Sequence, residues 1–200
     1  MTETTTFDLG PQARIVARLV EGTPDAMLAA PTPCPDYTVR NVLGHVAGLA
    51  VAFRDAAGKD LGASTETPPD DAVPDLPADW RELLPRVLDE LAAAWRDPAA
   101  WTGMTRAGGV DLPGEIAAAV AADELVIHGW DLARATGQDY APDETALRAS
   151  HAFLLAAAEE DDRGGGIFGV VVRVPDGAPL LDRAVGLSGR DPGWRSPATR

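Results

Sequence analysis

The segment from Pro113 to Gly137 constrains the fold most, because one long helical pattern carries ionisable side chains in its apolar stripe. Glu124, His128 and Asp131 follow one another at spacings of four and three residues. At about 100° per residue, His128 lies roughly 40° and Asp131 roughly −20° from Glu124, so the three share one face. Apolar side chains flank that face: Val120, Leu125, Ile127 and Leu132. A carboxylate and an imidazole are costly there unless they are paired or bound to a metal.

Hydrophobic periodicity predicts further amphipathic helices on both sides of this segment. They are expected over about residues 8–21, 38–58, 78–96, 143–160 and 179–187, with Thr38 as the N-cap of the second. Residues 59–77 are rich in proline and acidic residues and are expected to form a long surface loop that either lines a pocket entrance or is mobile. Residues 97–112 have an irregular pattern, and Val170–Val172 is a short β-prone run. Because no alternating strand pattern accompanies the helices, the sequence predicts an all-α bundle.

Length and composition restrict the function classes. The 200 residues suit one domain, with a core over about 8–160 and a C-terminal tail over 161–200. A net charge of −14 argues against nucleic acid as a partner, because phosphate backbones demand a basic face. The first residues lack a secretory pattern and no apolar run is long enough for a membrane span, so we expect a cytoplasmic protein. Cys34 is the single cysteine, which excludes an intrachain disulfide and a Cys-rich zinc site.

A histidine on a second helix extends the cluster. His45 lies at the edge of the apolar stripe of the helix over 38–58. Facing helices of a bundle can build a metal site together, so His45, Glu124 and His128 form a candidate ligand set. Three protein ligands with a further position open are typical of catalytic zinc sites. Asp131 is then the acceptor that orients an imidazole or a substrate. A hydrogen-bonded core histidine and an ordinary helical Glu–His pair remain open as alternatives.

Other side chains near these segments have two interpretations each. Arg134 pairs either with a substrate anion or with one of the many carboxylates. Trp130 is a packing anchor or, less often for such a residue, a substrate platform. His151 is expected to be exposed or structural. Cys34 is either a thiol near the site or a small buried apolar group.

Two segments carry a family resemblance. The stretch TPCPDYTVRNVLGH (32–45) and the stretch DELVIHGWDLARATG (123–137), together with the tail from Phe168 to Trp194, resemble the DinB-like metal-binding superfamily. Within it the chain is most similar to the actinobacterial group related to mycothiol-dependent maleylpyruvate isomerase. The resemblance extends over about residues 8–194.

The resemblance implies a DinB-like four-helix bundle with a long loop and a short mixed C-terminal tail. It implies one divalent metal, most often Zn²⁺, at His45, Glu124 and His128. It also implies mycothiol as a thiol cosubstrate whose sulfur takes the open metal position.

Several functions are compatible with this site. The leading hypothesis is a thiol transferase or isomerase in which a metal-bound thiolate attacks a small electrophile, with Asp131 and Arg134 positioning ligand or substrate. A metal-dependent hydrolase, a non-catalytic metal-binding or stress-response protein and a purely structural bundle are the alternatives. The sequence is compatible with either a monomer or a homodimer.

Overall fold

The computed structural model describes residues 6–68, 75–160 and 169–196. Within these ranges the helices are α1 (Gly10–Glu21), α2 (Val39–Gly58), α3 (Ala63–Glu66), α4 (Trp80–Ala94), α5 (Gly114–Thr136), α6 (Glu144–Glu160) and α7 (Leu180–Leu187). Two short strands, β1 (Met104–Ala107) and β2 (Val110–Pro113), form an antiparallel hairpin. Single 3₁₀ turns occupy Asp25–Met27 and Pro98–Trp101.

Four of the helices form a closed bundle. Helix α2 packs against α4 and α5, and α1 packs against the same two helices from the other side. Helix α6 lies against α5, and α7 lies against α6. Large apolar side chains from all these layers are fully buried, among them Val16, Leu43, Leu84, Leu88, Leu91, Leu125 and Leu154. This architecture confirms the predicted all-α bundle.

Helix α5 is the most enclosed element, because α1, α2 and α6 all pack against it. Its first half presents four fully buried alanines to these neighbours: Ala117, Ala118, Ala121 and Ala122. The rest of α5 is enclosed as well, and it buries the polar side chains of Asp123, His128 and Asp131. The enclosure explains why its ionisable groups need partners.

The helix ends agree closely with the sequence expectations. Thr38 precedes α2, and its backbone N–H donates to Oδ1 of Asn41 at 3.0 Å, which is one half of a capping box. Helix α5 ends at Gly137, whose φ of 73° is the left-handed conformation typical of a helix C-terminus. The first residue of α5 is Gly114. Pro113, which was expected to begin this helix, is the last residue of strand β2 instead.

Three local expectations were wrong or incomplete. The region 97–112, expected to be irregular, contains most of the β1–β2 hairpin, whose strands pair Met104 with Pro113 and Ala107 with Val110. Each strand has only four residues, too few for an alternating pattern to stand out. The expected loop 59–77 contains the short helix α3, and its residues 69–74 lie outside the described ranges. The β-prone run Val170–Val172 forms no strand; the backbone N–H of Val172 donates instead to the carbonyl of Gly186 at 2.9 Å.

Among the described residues, no helix combines the length and the apolar character that a membrane span requires.

Candidate functional site

The packing of α2 against α5 brings three potential metal ligands together. His45 comes from α2, and Glu124 and His128 lie one turn apart on α5. Each residue offers one ligand atom, and these atoms all lie within 4.8 Å of one another. Oε2 of Glu124 is 3.1 Å from Nε2 of His45 and 3.1 Å from Nε2 of His128. The structure therefore gathers the residues that helical spacing singled out.

The three side chains of the cluster are mostly buried but keep some exposure to solvent. The side chain of Glu124 is 26% exposed, that of His45 16% and that of His128 10%. The ring of Tyr37, from the connector before α2, lies beside His45 with ring centroids 5.8 Å apart. The side chains of the cluster thus keep some contact with solvent while the surrounding helices hold them in place.

Asp131 lies behind the cluster, one turn beyond His128 on α5. Its Oδ2 is 3.0 Å from Nδ1 of His128, and its side chain has no exposed surface. With Nδ1 bonded to a carboxylate, the imidazole turns its Nε2 toward Glu124. This is the arrangement by which proteins orient a metal-binding histidine.

Electrostatic partners keep the buried groups charged. Burial opposes ionisation of Glu124, but hydrogen bonds from His128 and His45 outweigh it and hold the pKa of that carboxyl below its usual range. Burial likewise opposes protonation of His128, yet the carboxylates of Asp131 and Glu124 raise its pKa to about 9. Glu124, His128 and Asp131 therefore each have an opposite charge in contact with them.

A residue that the sequence analysis missed completes this arrangement. Arg190 follows α7 in the C-terminal segment, 59 residues from Asp131 along the chain. Its Nη2 donates to Oδ2 of Asp131 at 3.0 Å and its Nε donates to Oδ1 at 3.3 Å. Although burial opposes ionisation of Asp131, the charge of Arg190 and the hydrogen bond of His128 lower its pKa. Periodicity does not indicate this long-range pair, and the one sequence signal that includes Arg190 is the family resemblance of the tail from Phe168 to Trp194.

The other predicted site residue, Arg134, interacts with the C-terminal segment instead. Its Nη2 donates to the carbonyl of Pro192 at 3.3 Å, and its guanidinium lies 5.7 Å from the ring centroid of Trp130. It lines a surface cavity together with Gln138 and Trp194. A role for Arg134 in positioning a substrate stays a prediction.

The remaining candidates have mostly structural surroundings. Trp130 is buried in the hydrophobic core, as expected of a packing anchor. His151 lies on α6, partly buried, and its Nε2 has no hydrogen-bond partner among the described residues. Burial raises the pKa of the Cys34 thiol to about 11. Asp123, which was not among the candidates, accepts a 2.6 Å hydrogen bond from Ser150, and burial raises its pKa to about 7.

The donor set fits a divalent transition metal. Two imidazoles and one carboxylate are ligands that zinc accepts, and three protein ligands leave room for a further one. At the bond lengths typical of zinc, the ligand atoms of a tetrahedral site lie roughly 3.3 Å apart. The separation of 3.1 Å from Glu124 to each imidazole is close to that spacing.

Sequence comparison gives a family match over most of the chain. The model of the mycothiol maleylpyruvate isomerase N-terminal domain matches residues 9–133. Two proteins from two strains of Mycobacterium tuberculosis, named as uncharacterized proteins Rv0738 and MT0763, are each 27% identical over 134 residues. Each alignment covers 66% of this chain and 68% of the relative. The matched range contains His45, Glu124, His128 and Asp131 but ends before Arg190.

Structural comparison supports the fold. The crystal structure of a mycothiol-dependent maleylpyruvate isomerase is similar with a TM-score of 0.54 and 19% sequence identity. A histidine-to-alanine mutant of that isomerase gives a TM-score of 0.53 and the same identity. In both cases the similarity covers 72% of this chain and 65% of the isomerase chain, so the match spans less than two thirds of the solved protein.

Proposed function

The chain belongs to the mycothiol maleylpyruvate isomerase N-terminal domain family, and on that premise we propose that it is a metal- and thiol-dependent transferase or isomerase. One divalent metal ion, Zn²⁺ by the nature of the donors, binds to His45, Glu124 and His128. Mycothiol is the thiol cosubstrate and a small electrophile is the substrate. The observation that carries the proposal is the set of three ligand atoms from two helices, all within 4.8 Å of one another on a partly open face.

The protein contributes position and charge to this chemistry. A bound divalent metal lowers the pKa of a coordinating thiol, so that the thiolate nucleophile is available at neutral pH. Asp131 holds the imidazole of His128 by its Nδ1 and leaves Nε2 to the metal. The ring of Tyr37 beside His45 and the packed α2–α5 pair form the walls against which a small electrophile is held.

Two reaction classes fit this arrangement. In a transfer, the thiol sulfur forms a bond to an electrophilic carbon and stays in the product, while a halide ion leaves, the C–O bond of an epoxide opens, or the C=C bond of an alkene becomes a single bond. The proton released by the thiol goes to solvent with a halide, to the epoxide oxygen, or to the neighbouring carbon of the alkene. In an isomerisation, the sulfur adds to and then leaves an activated alkene, so the thiol is regenerated. Activated alkenes, epoxides and halides are therefore the substrate classes to test.

Metal content tests the proposed site directly. We expect about one equivalent of zinc in the wild-type protein by elemental analysis, and little in His45→Ala or Glu124→Ala. His151→Ala is the matched control, because His151 lies on α6 outside the cluster, and it is expected to retain the metal. A folded wild-type protein that contains no metal and cannot be loaded would contradict the proposal.

Thiol dependence tests the reaction class. The zinc-loaded protein is incubated with a panel of electrophiles, with mycothiol and in buffer alone. Turnover that requires the thiol supports the proposal. Turnover in buffer alone identifies a hydrolase, and stoichiometric zinc without turnover across the panel identifies a non-catalytic metal-binding protein.

A further inference from the structure

We propose that Arg190 is a positioning residue of the metal centre, acting through Asp131 on the orientation of His128. The inference rests on the proposed function and deepens it, because it assigns part of the centre to a segment outside the matched residues 9–133. The C-terminal segment is then a component of the site and not only an appendage to the bundle.

The contacts form one continuous chain from the tail to the ligand. Arg190 donates through Nε and Nη2 to the two oxygens of Asp131, at 3.3 and 3.0 Å. Asp131 accepts the Nδ1 proton of His128 on the same Oδ2 that Nη2 contacts, at 3.0 Å. A bidentate contact fixes the plane of a carboxylate as well as its distance. The plane of Asp131 in turn sets the direction in which the imidazole of His128 points.

Burial makes this chain of contacts effective. The side chain of Asp131 has no exposed surface and that of Arg190 is 13% exposed. Solvent screens such a pair far less than it screens a surface pair. Water therefore does not substitute for Arg190 at Asp131 in the folded protein.

Every guanidinium nitrogen of Arg190 donates to an acceptor of the protein itself. Its third guanidinium nitrogen, Nη1, donates to the carbonyl of Ser188 at 3.1 Å. All three nitrogens thus have acceptors within the protein. These contacts fix the guanidinium against Asp131 and Ser188, which supports a positioning role.

The backbone is built to present Arg190 to α5. The N–H of Arg190 donates to the carbonyl of Val185, and the N–H of Gly189 donates to that of Gly186, both at 3.1 Å. With Gly189 at a φ of 84°, these two bonds form a Schellman motif at the end of α7. Arg190 is the residue that such a motif directs away from the helix. Its position therefore follows from the end of a packed helix and not from a free loop.

Zinc affinity in a double-mutant cycle tests the inference. The variants are Arg190→Met, Asp131→Asn and the double variant, with circular dichroism to verify folding and Arg190→Lys as a gentler second probe. We expect Arg190→Met to weaken zinc binding about 10- to 100-fold, and Arg190→Lys to recover part of that loss. If Arg190 acts through Asp131, the double variant binds zinc no more weakly than Asp131→Asn alone. Wild-type affinity in folded Arg190→Met, or additive losses in the double variant, would overturn the inference.

Arg195→Met is the matched control for the tail. Arg195 is exposed, and within the described residues its Nη1 donates to the backbone carbonyls of Gly193 and Trp194. Loss of this neighbouring arginine is expected to leave zinc affinity unchanged. An equal loss of zinc affinity in both variants would mean that any substitution in the tail weakens zinc binding, which contradicts a specific role for Arg190.

A metal-free measurement separates this inference from the proposed function. The protein has three histidines, so His128→Gln assigns the ring protons in nitrogen-15-labelled samples. We expect a low-field, slowly exchanging Nδ1–H signal from His128 in the wild type and its broadening in Arg190→Met. If the wild type binds no zinc but this signal depends on Arg190, the metal centre fails and the positioning role stands. A signal that is unchanged in Arg190→Met overturns the positioning role.

Discussion

Charges of alternating sign run through the interior of this protein. The carboxylate of Glu124 contacts the imidazole of His128, which contacts the carboxylate of Asp131, which contacts the guanidinium of Arg190. A buried charge without a partner would destabilise the fold by several kcal/mol, and each of these groups has one. Among the described residues, the series ends at the partly exposed side chains of Glu124 and His45, which with His128 are the proposed metal ligands.

Cys34 is the single cysteine of the chain and therefore a candidate nucleophile. We predict that it does not act as one. Because burial raises its pKa to about 11, very little of the thiol is ionised at pH 7.5. Its alkylation by iodoacetamide should be far slower than that of a free cysteine and should rise about tenfold per pH unit between pH 7 and 9. Cys34→Ser should retain zinc and thiol-dependent turnover. Rapid alkylation at pH 7, or loss of turnover in a folded, zinc-loaded Cys34→Ser, would contradict this prediction.

At the scale of the elements, the segment that begins at residue 75 packs against the outer face of α2. The backbone of Asp75 and Leu76 crosses α2 at Gly44, next to the proposed ligand His45. A Cβ at Gly44 would lie 2.5 Å from the carbonyl oxygen of Asp75, a backbone atom that cannot rotate away. One turn further, Gly48 is exposed and has nothing within 4 Å of the same position.

These two glycines of one helix give a matched prediction. Gly44→Ala should lower the free energy of unfolding by about 1–3 kcal/mol, because the crossing segment must shift. Gly48→Ala should raise it by about 0.5–1 kcal/mol, because alanine favours an open helical position. Urea titration followed by circular dichroism measures both. Equal effects of the two substitutions would mean that the crossing segment does not press on α2.

The end of α7 makes a similar comparison possible in the tail. An alanine at Gly189 must adopt a positive φ, and its Cβ would lie 2.7 Å from the Cα of Gly169. We expect Gly189→Ala to destabilise the protein by at least about 1–2 kcal/mol from the backbone conformation alone. For a chain of this length that lowers Tm by roughly 2–8 °C. Gly177→Ala, with nothing within 4 Å, is the control and should leave Tm nearly unchanged. If Gly189→Ala has the same Tm as Gly177→Ala, the Schellman geometry at the end of α7 is wrong.

At the scale of the whole molecule, we propose that residues 1–200 form a single domain. Helix α7 packs against α6, α6 packs against α5, and Arg190 bonds to Asp131 on α5, so the tail contacts the bundle at several layers. The protein should therefore unfold in one cooperative transition, with calorimetric and van't Hoff enthalpies in agreement. Near-ultraviolet circular dichroism, which reports on Trp194 in the tail and Trp95 in the bundle, should follow the same curve as the far-ultraviolet signal. Two separated transitions would identify the tail as an independent unit.

Much of this architecture is local and could be predicted from the sequence. The periodic apolar stripes predicted the long helices, because an apolar face at helical spacing indicates a helix whichever element it packs against. Spacing along α5 predicted that Glu124, His128 and Asp131 share a face, since that relation is set by 3.6 residues per turn. The apolar surroundings of those residues predicted that they would need partners.

The tertiary structure decided which distant residues became those partners. Whether His45 reaches Glu124 depends on the rotation and offset of α2 against α5, which side-chain packing sets and no single helix encodes. The pairing of Asp131 with Arg190 depends on where α7 docks and how its last turn is closed, 59 residues from α5. The hairpin β1–β2 likewise exists because two four-residue segments meet each other, although neither has a pattern of its own. Helical periodicity acts over a few residues, so the sequence determined which side chains share a helix face. Long-range packing alone determined which distant residues contact each of those faces.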